Sequence, residues 1–488
     1  MLHNQKLLTR YNNNVIEYIQ PRQMHIMVKT VTSFKLTVTL IALNLVVGIA
    51  SFSAYTNYQQ AYAQSFVVGD DASNNDDANS KSSSFTKPVN LTNNTRDSVY
   101  AQIASNGKSV YMVWQENNDA NYDIYLKKST DEGLTFGKEI NLSNNPGFSE
   151  HPQIAISGNN VYVTWIDDTP LSPTTVTGTK VKELLFRSSI DGGSTFDKII
   201  NLSNSSNSRI ADSSNQEITA AGNNVYVVWQ GIALLTTDYD TSKNADNNTD
   251  RSEITGNKKN SSILFLSSTD GGNTFNGIKS LTSSSFKSYP KIAAFKNSTY
   301  VIWNTGIIGD TNRDDNNSKS ITRGIFFTKS LDRGNSFTDA IKLNSDLNSI
   351  GESQVAATGN SVYVVWGGNP DEKIPGNLFF VKSSDNGNRF SEAVSLTEKN
   401  SLNVEVIADE SNNVYIAWQA LLSDGNQEIL FKKSSDNGGT FTDTNENISK
   451  NQGISECTSI DVSENNKVYI AWEDDTYGNH EILFTKST

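Results

Sequence analysis

Apolar residues in this chain gather in short alternating runs of β-branched and aromatic side chains, punctuated by Gly and Asn. Alternation of period two with such punctuation predicts strands joined by hairpins. One stretch shows the unit: Gln153 to Ile156, a Gly-Asn-Asn turn, Val161 to Trp165, Leu184 to Ser188, then Ile199 to Leu202. Seven Tyr-x-x-Trp tetrapeptides, ending at Trp114, Trp165, Trp229, Trp303, Trp366, Trp418 and Trp472, use every tryptophan of the chain. Recurrence at 50 to 75 residues predicts an array of like units. Positions three apart on a strand face opposite sides, so each unit should turn its Trp to one neighbour and its Tyr to the other. That arrangement fills the wedge between radial sheets. The expected fold is all-β, a seven-bladed β-propeller of four-stranded antiparallel blades.

A second motif runs in register with the first. Ser-x-Asp-x-Gly-x-(Thr/Ser/Arg)-Phe occurs six times, with its aspartates at Asp131, Asp191, Asp270, Asp332, Asp385 and Asp436. Asp accepts hydrogen bonds from the N–H groups ahead of it, Gly supplies a positive φ, and the closing Phe is left to bury against a neighbour. The octapeptide is an Asp-box, and residues 85 to 488 resemble the Asp-box (BNR) repeat proteins of the sialidase superfamily. These aspartates are expected to be structural.

Six boxes and seven Trp units are reconciled at the termini. The chain stops at Phe484-Thr485-Lys486-Ser487-Thr488, where a seventh box would begin. Ser84 to Thr92 looks like the segment just after a box, and Phe85 precedes Trp114 by 29 residues, as Phe136 precedes Trp165. The amino-terminal strand is therefore expected to complete the last blade, removing an open edge.

Residues 1–63 read as a leader with a secretory signal: an apolar run over 36–50 behind Lys29 and Lys35, then Ala61-Tyr62-Ala63 as a cleavage site. An uncleaved anchor is the alternative, and only that segment would touch a membrane. Residues 64–84 form a polar linker. The propeller is expected outside the cell, secreted or at the surface. Residues 64–488 carry a net charge of −17, because the first 63 hold five Lys/Arg and one Asp/Glu of a chain at −13. Such a surface is poorly suited to nucleic acid. Cys457 is the sole cysteine and reads as a small core residue. Several Asn-x-Ser/Thr sequons (Asn90, Asn141, Asn201, Asn447) recur at one repeat position, as repeat register would produce. Asn247, Asn260 and Asn316 lie in long loops and are better glycosylation candidates.

Loop lengths mark one rim. From box Asp to the next Trp the spacing is 33 to 38 residues, but from Trp to the following box Asp it ranges from 17 to 41. Insertions therefore lie opposite the box turns, with long loops at Asp167 to Lys182, Gly231 to Ser261 and Thr305 to Thr322. Variable loops on a rigid scaffold are where binding is built. Two residues beyond Trp stand Glu116, Asp167 and Asp474, in blades that closure makes contiguous. Asp168, Glu473 and Asp475 adjoin them, and Asp123 and Glu481 begin third strands nearby. Grouped carboxylates can bind Ca²⁺ through Glu116, Asp167 and Asp474. They can also act as an acid and base on a glycoside, or form a solvated acidic rim.

The family resemblance implies a Tyr–Glu nucleophile pair, an Asp acid/base and three arginines clamping a carboxylate. The stretch corresponding to the family's first arginine is Ser98-Val99-Tyr100-Ala101-Gln102-Ile103-Ala104, which has none. Arg96 and Arg209 are placed near the opening, with Arg251, Arg313 and Arg323 in loops. His151 and His480 lie in separate blades, against a His-rich zinc site. The expected function is an exported binding module for a surface glycan or an extracellular protein, with no required cofactor. A divergent exo-sialidase-like glycoside hydrolase and a structural envelope component are the alternatives.

Overall fold

The computed structural model describes residues 84–118, 121–169, 182–205, 208–234, 261–282, 287–305, 324–344, 349–369, 376–397 and 401–488. The leader, the linker up to residue 83, most of the three long loops, Arg251, Arg313, Arg323, Asn247, Asn260 and Asn316 lie outside the described residues. Seven antiparallel sheets make seven blades. In blade one the strands are Ser98–Asn106, Ser109–Asn117, Tyr122–Ser129 and Ile140–Asn141. The others repeat this order, with one addition. Blade three has five strands, because its inner strand Ser208–Ala221 begins early and Asn204–Ser205 folds back onto it.

Closure occurs as the termini predict. Val89–Asn90 is the outer strand of blade seven, with Val89 opposite Phe484 and Asn90 opposite Leu483. Phe85 bridges to Ser487, and Thr86 N–H donates to the Lys486 carbonyl at 2.9 Å.

Each wedge between blades is one apolar cluster, and each pairs the Tyr of one blade with the Trp of the next. Tyr111 lies with Trp165, Tyr162 with Trp229, and so on round to Tyr469 with Trp114. All seven Trp are 2% exposed or less. Burial of rings this large contributes strongly to the hydrophobic stabilisation between blades.

The octapeptide turns lock the opposite rim. Ser129 Oγ donates to Asp131 Oδ1 at 2.7 Å, Thr135 N–H donates to the same oxygen at 2.9 Å, and Thr135 Oγ1 donates to Oδ2 at 2.6 Å. These donors, the Ser129 hydroxyl foremost, hold the Asp131 carboxyl well below its ordinary value. Gly133 has φ +74°, and a Cβ there would come within 2.6 Å of Phe484. Glycine is therefore required by both backbone and space. The closing Phe136 then packs edge-on against Phe484 of the preceding blade, centroids 5.2 Å apart.

A second clamp explains the recurring sequons. The Ser or Thr of Asn-Leu-Ser/Thr receives the third-strand N–H: Ile124 N to Ser143 Oγ at 3.0 Å, Leu184 N to Ser203 Oγ at 3.1 Å, Ile482 N to Thr92 Oγ1 at 3.0 Å. Blade four uses Asn344 Oδ1 instead, at 2.8 Å from Ile325 N. These positions keep buried N–H groups paired.

Candidate functional site at the channel mouth

The carboxylates two residues beyond Trp do not face solvent. Glu116, Asp167 and Asp474 are fully buried. Each accepts a hydrogen bond from the indole N–H of its own blade: Trp114 at 3.0 Å, Trp165 at 2.9 Å and Trp472 at 3.1 Å. The serine that opens each inner strand donates to the same oxygen, Ser98 at 3.2 Å, Ser149 at 2.7 Å and Ser455 at 2.9 Å. So does an asparagine of the preceding loop, Asn94 at 3.2 Å, Asn145 at 2.8 Å and Asn451 at 2.5 Å. A carboxylate saturated by donors is stable when buried and is withdrawn from a ligand. The carboxylates that the sequence left open as a Ca²⁺ site, an acid–base pair or a solvated rim are thus buried and cap three indoles. Spacing alone could not reveal this, since the same position also emerges at a loop.

The neighbouring residues are similarly engaged. Asp168 Oδ1 accepts Phe148 N–H at 2.8 Å, and Asp475 Oδ1 accepts Ile454 N–H at 2.7 Å. Asp123 accepts Ser143 Oγ, Asn118 Nδ2 and Asn141 Nδ2 at 2.7 to 2.9 Å. Arg96 is paired with Glu116 through Nη2, and its Nη1 donates to Asn118 Oδ1 at 2.6 Å. The Arg209 side chain lies outside the described residues.

The inner strands carry a feature the sequence did not disclose. Six of them break register at a bulge whose residue adopts a left-handed φ: Tyr100 (55°), His151 (53°), Asn215 (50°), Tyr289 (53°), Asn403 (42°) and Cys457 (50°). Such backbone costs about 1–3 kcal/mol at a non-Gly residue and re-aims the side chain. Struts from the preceding blade hold two of these bulges. Glu473 Oε1 accepts Tyr100 N–H at 2.6 Å and Gln115 Oε1 accepts His151 N–H at 3.0 Å. The residue after Trp is Gln115, Gln230, Asn304, Gln419 or Glu473 in five of seven blades, which is the signal that could have found the struts. Cys457 is therefore a half-buried bulge residue rather than a core one. Burial and adjacent Glu473 push its thiol up.

Among the described residues, titratable side chains of the inner strands interact across neighbouring blades. In blades three to six, Lys291 Nζ lies 3.0 Å from Glu217 Oε2, and Gln354 Nε2 donates to Glu405 Oε2 at 2.7 Å. Burial, with Glu217 and Glu352 nearby, pushes Glu405 up to about 7 despite Lys291. In blades seven, one and two, Tyr100 meets His151 edge-on at 4.3 Å, and Glu150 pairs with Lys182 at 2.7 Å. Tyr122 and Phe148 lie 5.7 Å apart, with Phe148 exposed. Burial, then Glu456, pushes Glu473 up to about 8. Among the described residues, Glu456, Glu473 and His480 form the group of potential metal ligands, their donor atoms within 4.8 Å of one another. Glu116, Asp167 and Asp474 form no such group.

No family model matches this chain, and no curated protein matches it. Solved structures do. The Hadza microbial sialidase Hz136 is similar at 13% identity and TM-score 0.44, over 80% of this chain and 66% of that one. A protein of unknown function from Dyadobacter fermentans is similar at 11% identity and TM-score 0.48, over 82% and 98%. Trypanosoma rangeli sialidase in complex with sialic acid is similar at 11% identity and TM-score 0.41, over 82% and 57%. The match thus spans 57% to 66% of these two sialidases. The likeness concerns fold, and the reading of the site rests on this chain's own residues.

Proposed function

We propose that the protein is an exported, sialidase-like propeller that binds a glycan at the mouth of its channel, over blades one and two, without hydrolysing it. The observation that supports this reading is the commitment of the rim carboxylates. Glu116, Asp167 and Asp474 each hold an indole N–H, a serine hydroxyl and an asparagine amide, so none is free to act as acid or base. Arg96, which the sequence places near the opening, is tied to Glu116. What the rim opposite the octapeptide turns offers is an aromatic pair, Tyr122 with Phe148, near Glu150 and its partner Lys182. Rings flanked by a few charged groups are how polyhydroxy ligands are oriented.

A glycoside hydrolase is the second reading, favoured by one feature. Glu473, raised to about 8, lies against Tyr100, and a carboxylic acid that stays protonated at neutral pH can serve as a general acid. A glycan array run beside a fluorogenic glycoside panel separates the two. Retention of a glycan with no release of fluorophore supports the binding module, and turnover abolished by Glu473→Gln replaces it with the hydrolase.

A further inference from the structure

Blade seven departs from its sisters at one place. Glu456, on the inner strand Ser455–Val462, stands directly opposite Glu473, on Val468–Asp474. Like charges directly opposite on adjacent strands destabilise a sheet. Glu473 is only 4% exposed, and at its repeat position the other blades carry Gln, Asn, Ile or Gly. The corresponding carboxylate of blade two shows how such a charge is ordinarily answered. Glu150 faces Ile166 across the strands and has Lys182 at 2.7 Å. Among the described residues, neither Glu456 nor Glu473 has a Lys or Arg partner.

A third group completes the arrangement. His480 immediately precedes the third strand Glu481–Lys486, whose Glu481 pairs with Asp474, so the imidazole stands over the same end of the sheet. Its Nδ1 is shielded from solvent and has no hydrogen-bond partner. A buried ring nitrogen without a partner beside two opposed carboxylates is a set of donors lacking an acceptor of their lone pairs. Backbone N–H groups fix the frame around it: Tyr100 N–H holds Glu473 Oε1, and His480 N–H is held by Asp97 Oδ1 at 3.2 Å.

We propose that Glu456, Glu473 and His480 form a binding site for a divalent transition-metal ion of the Zn²⁺ class. One imidazole nitrogen and two carboxylates, with ligand atoms within 4.8 Å of one another, match three-ligand sites for borderline metals. Ca²⁺, which takes six to eight oxygens, is poorly served by an imidazole. A bound dication lets both opposed glutamates stand side by side as carboxylates, as Lys182 does for Glu150. The three ligands all belong to blade seven, and metal retention is read without reference to glycan binding.

The test uses the full exported chain, stripped with chelator and dialysed against Zn²⁺, with Co²⁺ as a spectroscopic probe and Ca²⁺ as a control. The expected result is one equivalent of Zn²⁺ retained and Co²⁺ giving visible ligand-field bands. His480→Asn and Glu456→Gln should each weaken Zn²⁺ at least tenfold, while His151→Asn, at the other histidine among the described residues, leaves it unchanged. Circular dichroism of the stripped variants establishes that they are folded. If a variant does not fold, competition by Zn²⁺ against diethylpyrocarbonate labelling of His480 in the unaltered protein decides the matter. Zn²⁺ affinity unchanged in the folded variants, or His480 labelled equally with and without Zn²⁺, overturns the proposal.

Discussion

The rings of Phe85 and Phe431 meet edge-on, centroids 5.0 Å apart, although they lie at opposite ends of the propeller sequence. The same contact recurs within the chain between Phe275 and Phe186, Phe337 and Phe265, Phe390 and Phe327, and Phe441 and Phe380. Phe85 thus does for blade seven what Phe136, Phe275, Phe337, Phe390 and Phe441 do for their own blades. Phe85→Ala is expected to lower unfolding free energy by about 3 kcal/mol, read as a shift in the denaturant midpoint. Removal of residues up to 92 should cost more, because the strand Glu481–Lys486 would be left as an open edge.

Asp167 supports Trp165 rather than a ligand. Asp167→Ala strips the acceptor from an indole, a hydroxyl and an amide at once, and should destabilise by about 2–4 kcal/mol. Thermal unfolding followed by tryptophan fluorescence measures this. A carboxylate exposed on the rim would be removed at almost no cost. For the same reason, millimolar Ca²⁺ should leave the melting temperatures of the wild type and of Glu116→Gln unchanged.

Ser143 pairs a buried strand N–H, and the equivalent residue is Thr92 in the last blade and Thr282 in the third. Ser143→Thr should therefore be close to neutral, and Ser143→Ala should lose about 1–3 kcal/mol. Chemical denaturation distinguishes them. Asn141 of the same motif donates from Nδ2 to Asp123 at 2.9 Å, so mass spectrometry should find it free of glycan even though it heads a sequon.

Glu405 gives a pH dependence of known sign. Its folded value, about 7, lies above the ordinary carboxyl value of 4.5, so the folded state holds its proton more tightly than the unfolded one. The stability it contributes is complete below pH 4.5 and is lost as pH rises through about 7. Glu217, Lys291, Glu352 and Gln354 face it and belong to the same titration. Glu405→Gln should flatten the fall in melting temperature between pH 4.5 and 7.

The ring was legible because its determinants are local and repeated. Tyr-x-x-Trp states which face meets which neighbour, and the octapeptide states where each turn must fall. The register between Phe85 and the last strand followed from one spacing. The site was less legible for a physical reason. A carboxylate such as Asp167 looks the same in sequence whether it faces water or an indole, and the partner that decides, Asn145, lies 22 residues away. The bulges at Tyr100 and Cys457 leave no residue signature, since Tyr, His, Asn and Cys all occupy them. Only the polar residue after Trp hinted that something there needed a strut.

The central claim, a binding surface at Tyr122 and Phe148, is tested most directly by one comparison. Wild type and a Tyr122→Ala/Phe148→Ala variant are applied to the same glycan array at equal concentration. The account predicts retention of a defined set of glycans by the wild type and at least a tenfold loss in the variant, with both proteins folded. Equal signals from the two proteins, or no glycan retained by the wild type, would contradict it.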